Sequence, residues 1–300
     1  MTPSPSFEQP PLSTPFQCIR DILRTYSSRH PDKIALYDLD NKKSISWGQL
    51  HDWANRVARY LESVGIKKGD RIGLLADEGV EKMIIWMGIW RLGAVVCPLN
   101  IEINAAHISS LLESIKPQLV VGSSAVNLEK MTSKIDCQKM IFRDWSNEIE
   151  TATLPEEFFS KSSRYQNGPE VASINHSSDM SCIFCTSGTT SRPKCVVYDH
   201  MAYWLNGQNT IDFLGLTADD KTLEYRSFGW NSAQVLSLMP WIETGLSMYI
   251  AKRFSRSRFF KWIKDHHITF SAGVPTVVNM LLNEPTGITA ADIPSLRLMT

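Results

Sequence analysis

The stretch Thr186-Ser187-Gly188-Thr189-Thr190-Ser191-Arg192-Pro193-Lys194 gathers five hydroxyl side chains, one glycine and two cations into nine consecutive residues. A turn of that composition can aim backbone N–H groups and hydroxyls at phosphate oxygens, with Lys194 adding a mobile positive charge. That is the chemistry a triphosphate requires. The stretch lacks the Gly-Lys-Ser/Thr ending of a P-loop, and no G-x-G-x-x-G follows any strand-like run, so a Rossmann dinucleotide site is not indicated. A hydroxyl-rich turn is more often simply solvated, and the elements around it have to decide.

Other reactive side chains carry weaker signals. Cys182-Ile183-Phe184-Cys185 is formally C-x-x-C, but in a β-run its cysteines point to opposite faces, and no second Cys/His pair completes a metal site. Redox or zinc chemistry is not expected of that motif. His266-His267 closes a helical segment and is expected to complement its dipole. Trp86 and Trp90, one helical turn apart, read as core.

The elements that must position these groups alternate. Phe16, Ile19, Leu23 and Tyr26 recur at helical spacing, and 33–39 with 44–47 reads as a β-hairpin. Leu50, Ala54, Val57, Ala58 and Leu61 make a helical stripe that Gly65 stops. Strand-like runs at 71–76, 94–99 and 118–122 then alternate with helical segments at 80–92 and 105–116. A second series follows residue 180: strands at CIFCTS, CVVYD, LEYRS, LSMYIA, ITFSAGV and LRLMT, separated by helices near 203–213, 232–242, 257–266 and 276–283. Alternation at these lengths implies βαβ units around parallel sheet. The hydroxyl-rich stretch therefore lies between two strands of an α/β fold.

Composition sets the outer bounds. The 300 residues carry 31 basic and 31 acidic side chains and are 43% hydrophobic, the profile of a folded chain of about two domains. Zero net charge excludes a global field for nucleic acid. Six cysteines without a secretory signal predict reduced thiols and a cytoplasmic setting. The most apolar window, 83–99, is interrupted by Arg91 and closed by Pro98, so buried core is expected there and no membrane span. Five prolines in the first fifteen residues predict a flexible leader.

CTSGTTSRPKCVVYDH (185–200) resembles the phosphate-binding signature of the class I adenylate-forming, or AMP-binding, superfamily. Residues 46–75 and WRLGAVVCPLN (90–100) are similar to the N-terminal lobe of acyl-CoA synthetases, and 251–282 to their acyl-pocket lobe. The resemblance implies an α/β fold: two successive βαβ-type lobes of the large N-terminal domain, truncated at the C-terminus. The expected divisions are a leader at 1–15, a first lobe at 16–143, a connection at 144–179 and a second lobe at 180–300, with the small C-terminal domain absent.

The implied activity uses ATP, Mg²⁺ and coenzyme A. A carboxylate attacks the α-phosphate to give an acyl-adenylate and pyrophosphate, and a thiol then displaces AMP. Developing charge on the pyrophosphate must be met by cations and fixed N–H donors. On matching positions, Thr186, Ser187, Gly188, Thr189 and Thr190 would hold the β- and γ-phosphates, with Lys194 nearby. Ser191 and Cys195 depart from the pattern, standing where many members have glycine. His200 matches a helix-start histidine, for which a structural role is expected.

In Ser227-Phe228-Gly229-Trp230-Asn231, Gly229 stands where the amino-acid-activating branch carries an aspartate that pairs with the substrate ammonium. An unpaired buried ammonium is costly, so an acid lacking an α-amine is expected. Phe228, Trp230, Val274 and Pro275 are the acyl-pocket candidates.

The family's adenine segment, magnesium-binding glutamate, ribose aspartate and adenylation lysine fall beyond the point matching Thr300, so no catalytic or metal-binding residue is assigned. The 300 residues alone are expected to be inactive. A non-catalytic scaffold or nucleotide-binding homologue, and an acyl-AMP ligase loading a carrier protein, are the alternatives. The expected partners are a small carboxylic acid and a second copy or a chain supplying the remainder.

Overall fold

The computed structural model describes residues 15–143, 157–166, 168–186, 194–283 and 287–300. The leader expected at 1–15 lies almost wholly outside these residues, as do parts of the expected connection.

Two six-stranded sheets organise the described residues. In the first half run α1 (Ile19–Arg29), β1 (Ile34–Asp38), β2 (Lys43–Ser46), α2 (Trp47–Ser63), β3 (Arg71–Leu75), α3 (Val80–Leu92), β4 (Val95–Leu99), α4 (Ala105–Ile115), β5 (Leu119–Ser123), α5 (Leu128–Met131) and β6 (Gln138–Phe142). The second half adds α6 (Phe158–Ser163), β7 (Met180–Thr186), β8 (Lys194–Asp199), α7 (His200–Leu214), β9 (Lys221–Glu224), α8 (Asn231–Ala233), α9 (Met239–Thr244), β10 (Ser247–Ile250), α10 (Arg256–His266), β11 (Phe270–Ser271), α11 (Pro275–Asn283) and β12 (Leu298–Met299).

One sheet has the order β12-β11-β9-β10-β1-β2 and the other β6-β5-β3-β4-β7-β8. Each is parallel except for one antiparallel edge hairpin, β1–β2 and β7–β8 respectively. The hairpin expected at 33–47 is thus present. The lobes are interleaved along the chain: β1 and β2 join strands that follow residue 220, while β7 and β8 join strands that precede residue 143. Strand periodicity reports a buried face and says nothing about which sheet buries it, so the split read from the chain at 144–179 does not coincide with the sheets.

The burial pattern gives five layers. Ile72, Leu74 and Val96 of one sheet and Leu36, Met248 and Ile250 of the other share a core with α2, α3, α7 and α9. Val95, Cys97, Leu99 and Val120 face outward onto α4. Leu223 and Tyr249 face the opposite way, onto α10 and α11. Residue alternation along each strand therefore serves two cores at once.

Local sequence explains the entries. Ser46 and Gln49 form a reciprocal capping box at the start of α2. Every residue of α3 is buried, so the window expected to be core is core. Its charges survive by pairing: Arg91, 1% exposed, donates to Asn55 Oδ1 at 3.1 Å and Glu170 Oε2 at 2.9 Å. Between α8 and α9 the helix widens into a π turn over Gln234–Leu238. Pro240 supplies the cause, since it has no N–H to donate into the turn before it. Among the described residues no helix is long and apolar enough to cross a membrane.

Candidate functional site

The carboxyl ends of parallel strands from both sheets converge on one cavity of about 770 Å³. β3 delivers Asp77 and Glu78, β4 delivers Asn100 and Glu102, and β7 delivers Phe184 and Cys185. From the other sheet, β9 delivers Tyr225 to Ser227, β10 delivers Lys252 to Phe254, and β11 delivers Val274. Ligand sites in open α/β sheets form at this end of the strands, and the volume suits a small organic molecule.

Two buried ion pairs brace the wall. Glu78 Oε1 accepts from Lys82 Nζ at 2.6 Å, Ser227 Oγ at 3.0 Å and the Phe228 amide at 3.0 Å. Burial raises the Glu78 carboxyl above its ordinary range, against the pull of Lys82 and Ser227. Glu224, fully buried, takes Arg226 in a fork, with Nε at 2.9 Å from Oε1 and Nη2 at 2.5 Å from Oε2. Ser237 Oγ adds a bond to Glu224 Oε2 at 2.6 Å. At the rim Arg253 meets Glu102 at 2.5 Å and Asp77 at 3.5 Å.

These pairings leave single atoms over. Glu78 Oε2, Arg226 Nη1 and Asn231 Oδ1 are buried, without a hydrogen-bond partner among the described residues, on three lining residues. Such atoms cost free energy unless something meets them. Ile101, Phe184, Phe254, Val277 and the exposed Trp230, Val274 and Met280 give the wall its apolar part. The cavity thus offers an apolar body with hydrogen-bonding groups along one side.

The sequence candidates are distributed as follows. Trp230 and Val274 line the cavity. Phe228 is fully buried with its ring against Trp86, and it belongs to the central core rather than the wall. Pro275 opens α11, a position suited to its fixed φ, and is not a wall residue. Thr186 ends β7 and pairs in register with Lys194, which opens β8 and is exposed. Ser187, Gly188, Thr189 and Thr190 lie outside the described residues, as does Ser191. Gly229 is packed so that an added Cβ would meet the Asn100 amide nitrogen at 3.0 Å.

His200 starts α7, is 7% exposed, and has Nε2 at 3.1 Å from Asn175 Nδ2. Burial takes its pKa down to about 4, so the ring is neutral and structural. His266 ends α10 against Tyr37 and Tyr249, and burial lowers its pKa too. Burial thus works against the charge with which that ring was expected to complement the helix dipole. Trp86 and Trp90 are core, with Trp90 Nε1 bonded to Ser181 O at 2.9 Å. Cys182 belongs to the central core and Cys185 to the outer one, on opposite faces of β7.

Sequence reasoning passed over Glu78, Tyr225, Arg226 and Asn231. A signal was available for one of them: Glu224 and Arg226 are two apart in a β-run and so share a face, which places opposite charges side by side.

Fold and cavity together define a two-sheet α/β domain with a cavity of small-molecule size at its strand ends. The chain belongs to the AMP-binding enzyme family, whose model matches residues 23–300. Crotonobetaine/carnitine–CoA ligase of Proteus mirabilis is 25% identical over 256 residues, covering 81% of this chain and 48% of that protein. N-benzoylphenylalaninol synthetase apmA of Penicillium brevicompactum is 24% identical over 213 residues, 70% of this chain and 8% of that protein. The chain spans about half the length of the curated CoA ligases it matches.

Among solved structures, the N-terminal domain of FACL13 from Mycobacterium tuberculosis superposes with a TM-score of 0.77 at 22% identity, covering 95% of this chain and 69% of that one. O-succinylbenzoate coenzyme A synthetase of Bacillus subtilis, in complex with AMP, gives 0.76 at 19% identity, covering 93% and 66%. The fold is that of the N-terminal domain of adenylate-forming enzymes.

Proposed function

We propose that the protein carrying this chain activates a carboxylic acid lacking an α-amine, using Mg-ATP to form an acyl-adenylate and then passing the acyl group to the thiol of coenzyme A. The observation that carries this reading is the cavity itself: it lies beside the ends of β7 and β8, which flank the hydroxyl-rich stretch, and it combines an apolar wall with unpartnered hydrogen-bonding atoms. Membership of the AMP-binding family and the ligase relatives support the reaction class.

Each group has a part. Thr186, Ser187, Gly188, Thr189, Thr190 and Lys194 hold the β- and γ-phosphates, and their N–H groups and charge stabilise the departing pyrophosphate. Trp230 and Val274 flank the acyl body. Arg226 Nη1 and the Tyr225 hydroxyl are donors for an oxygen of the acid. The two buried carboxylates of the wall are committed to cations, Glu224 to Arg226 and Glu78 to Lys82, while the rim carboxylates Asp77 and Glu102 share Arg253. Gly229 itself carries no carboxylate, and a Cβ added there would press on Asn100.

Carboxylate-dependent exchange of pyrophosphate into ATP tests the proposal on the purified native protein. Exchange stimulated by simple carboxylic acids supports it; exchange stimulated by amino acids alone overturns it.

A further inference from the structure

Two cysteines mark the neck of the hydroxyl-rich stretch. Cys185 in β7 and Cys195 in β8 are direct register partners, followed by the pair Thr186 and Lys194. Residues directly opposite on antiparallel strands project to the same face with adjacent Cβ atoms. Their sulfurs lie 3.2 Å apart, and both thiols are free. A disulfide needs an S–S distance of about 2.05 Å, so closure asks for a movement of roughly 1 Å across a cross-strand pair.

We propose that Cys185 and Cys195 form a dithiol site oxidised by hydroperoxides, closing to a disulfide that ties β7 to β8 at the entrance and exit of residues 186–194. Cys195 is the attacking thiol. It is half-buried on the edge strand, with its sulfur within hydrogen-bond reach of the more buried Cys185. The sulfur–sulfur contact favours the thiolate on Cys195, lowering its pKa, and raises that of the more buried Cys185. A thiolate at neutral pH is the competent nucleophile. The other four cysteines contrast: Cys97 and Cys182 are fully buried, and burial raises the thiols of Cys18, Cys97, Cys137 and Cys182.

The step balances in two stages. The Cys195 thiolate attacks one oxygen of hydrogen peroxide, an S–O bond forms as the O–O bond breaks, and the leaving hydroxide takes a proton to become water. Cys185 sulfur then attacks the resulting sulfenic acid, the S–S bond forms as the S–O bond breaks, and the second hydroxide leaves as water with the Cys185 proton. Two thiols and one peroxide give one disulfide and two waters. A dithiol reductant reverses it. The site does not depend on the function proposed above.

The test treats the purified 300-residue chain with equimolar hydrogen peroxide, followed by intact mass measurement and non-reducing peptide mapping. The expected result is loss of two hydrogens, a single Cys185–Cys195 cross-link, and full recovery with dithiothreitol. Cys185→Ser should instead accumulate a sulfenic acid at Cys195 that dimedone traps, while Cys195→Ser should give no adduct at Cys185 at the same dose. Amide exchange around Cys185 and Cys195 should slow on oxidation of the unsubstituted chain, a readout that needs no variant to fold. A cross-link mapped to other cysteines, or dimedone labelling that favours Cys185 over Cys195, would overturn the proposal.

Discussion

Ser227 donates its hydroxyl to Glu78 Oε1 at 3.0 Å, joining the end of β9 in one sheet to the end of β3 in the other across 149 positions of sequence. The same oxygen takes the Phe228 amide and the Lys82 ammonium, so one buried carboxylate holds together the two halves of the cavity wall.

Glu78→Gln is therefore expected to destabilise the chain by about 3–5 kcal/mol, because Lys82, buried with it, loses its counter-charge. The double variant Glu78→Gln/Lys82→Met should be markedly less damaged than the sum of the single ones. Urea denaturation of the four proteins reads this directly. Additive losses would show that the two side chains do not act as a pair.

Glu243 gives a prediction at alkaline pH. Burial raises its pKa from 4.5 to about 9, so the folded chain favours the protonated form. Its contribution to stability is complete below pH 4.5 and is lost as pH rises toward 9. Glu243→Gln should gain on the natural chain as pH rises, by on the order of 4–5 kcal/mol at pH 8. Thermal melts from pH 5 to 9 check it, and parallel curves would refute it.

His200 acts at the other end of the scale. Its folded pKa of about 4 lies below the ordinary 6.5, so the unfolded chain binds the proton first as pH falls. Stability is expected to drop between pH 6.5 and 4, by on the order of 3 kcal/mol, and to level off below. His200→Gln should lack that slope in denaturant titrations.

Gly229→Ala tests the crowding at the site. Its Cβ would meet the Asn100 amide at 3.0 Å and Asn100 Cβ at 3.3 Å, so a loss of about 1–2 kcal/mol is expected as Asn100 shifts. Substrate affinity should fall with it, since Asn100 lines the cavity. Unchanged stability and affinity would show that the wall yields freely there.

How much of this was legible in the residues depends on the kind of information. Helix starts and stops were written locally: Ser46 with Gln49 opens α2, and Gly93, at φ 85°, closes α3. β6 and α6 were not, because Gln138–Phe142 keeps one face exposed and Phe158–Ser163 sits in a serine-rich stretch. The run ITFSAGV yields a strand of just two residues, Phe270 and Ser271, as the backbone turns toward the cavity wall at Val274. Trp230 and Val274 were reachable through the family resemblance. Glu78 and Arg226 were not, since their partners are fixed by the meeting of two sheets that periodicity alone does not assign.

The central claim is that this cavity receives a carboxylic acid without an α-amine beside the phosphate-binding stretch. Pyrophosphate exchange on the purified native protein, driven by acids paired with their α-amino counterparts, such as 3-phenylpropanoate with phenylalanine and hexanoate with norleucine, tests it most directly. The account predicts that at least one unsubstituted acid stimulates exchange roughly tenfold or more over its amino counterpart, a preference of about 1.4 kcal/mol. Equal stimulation within every pair, or a preference for the amino acids, would contradict it.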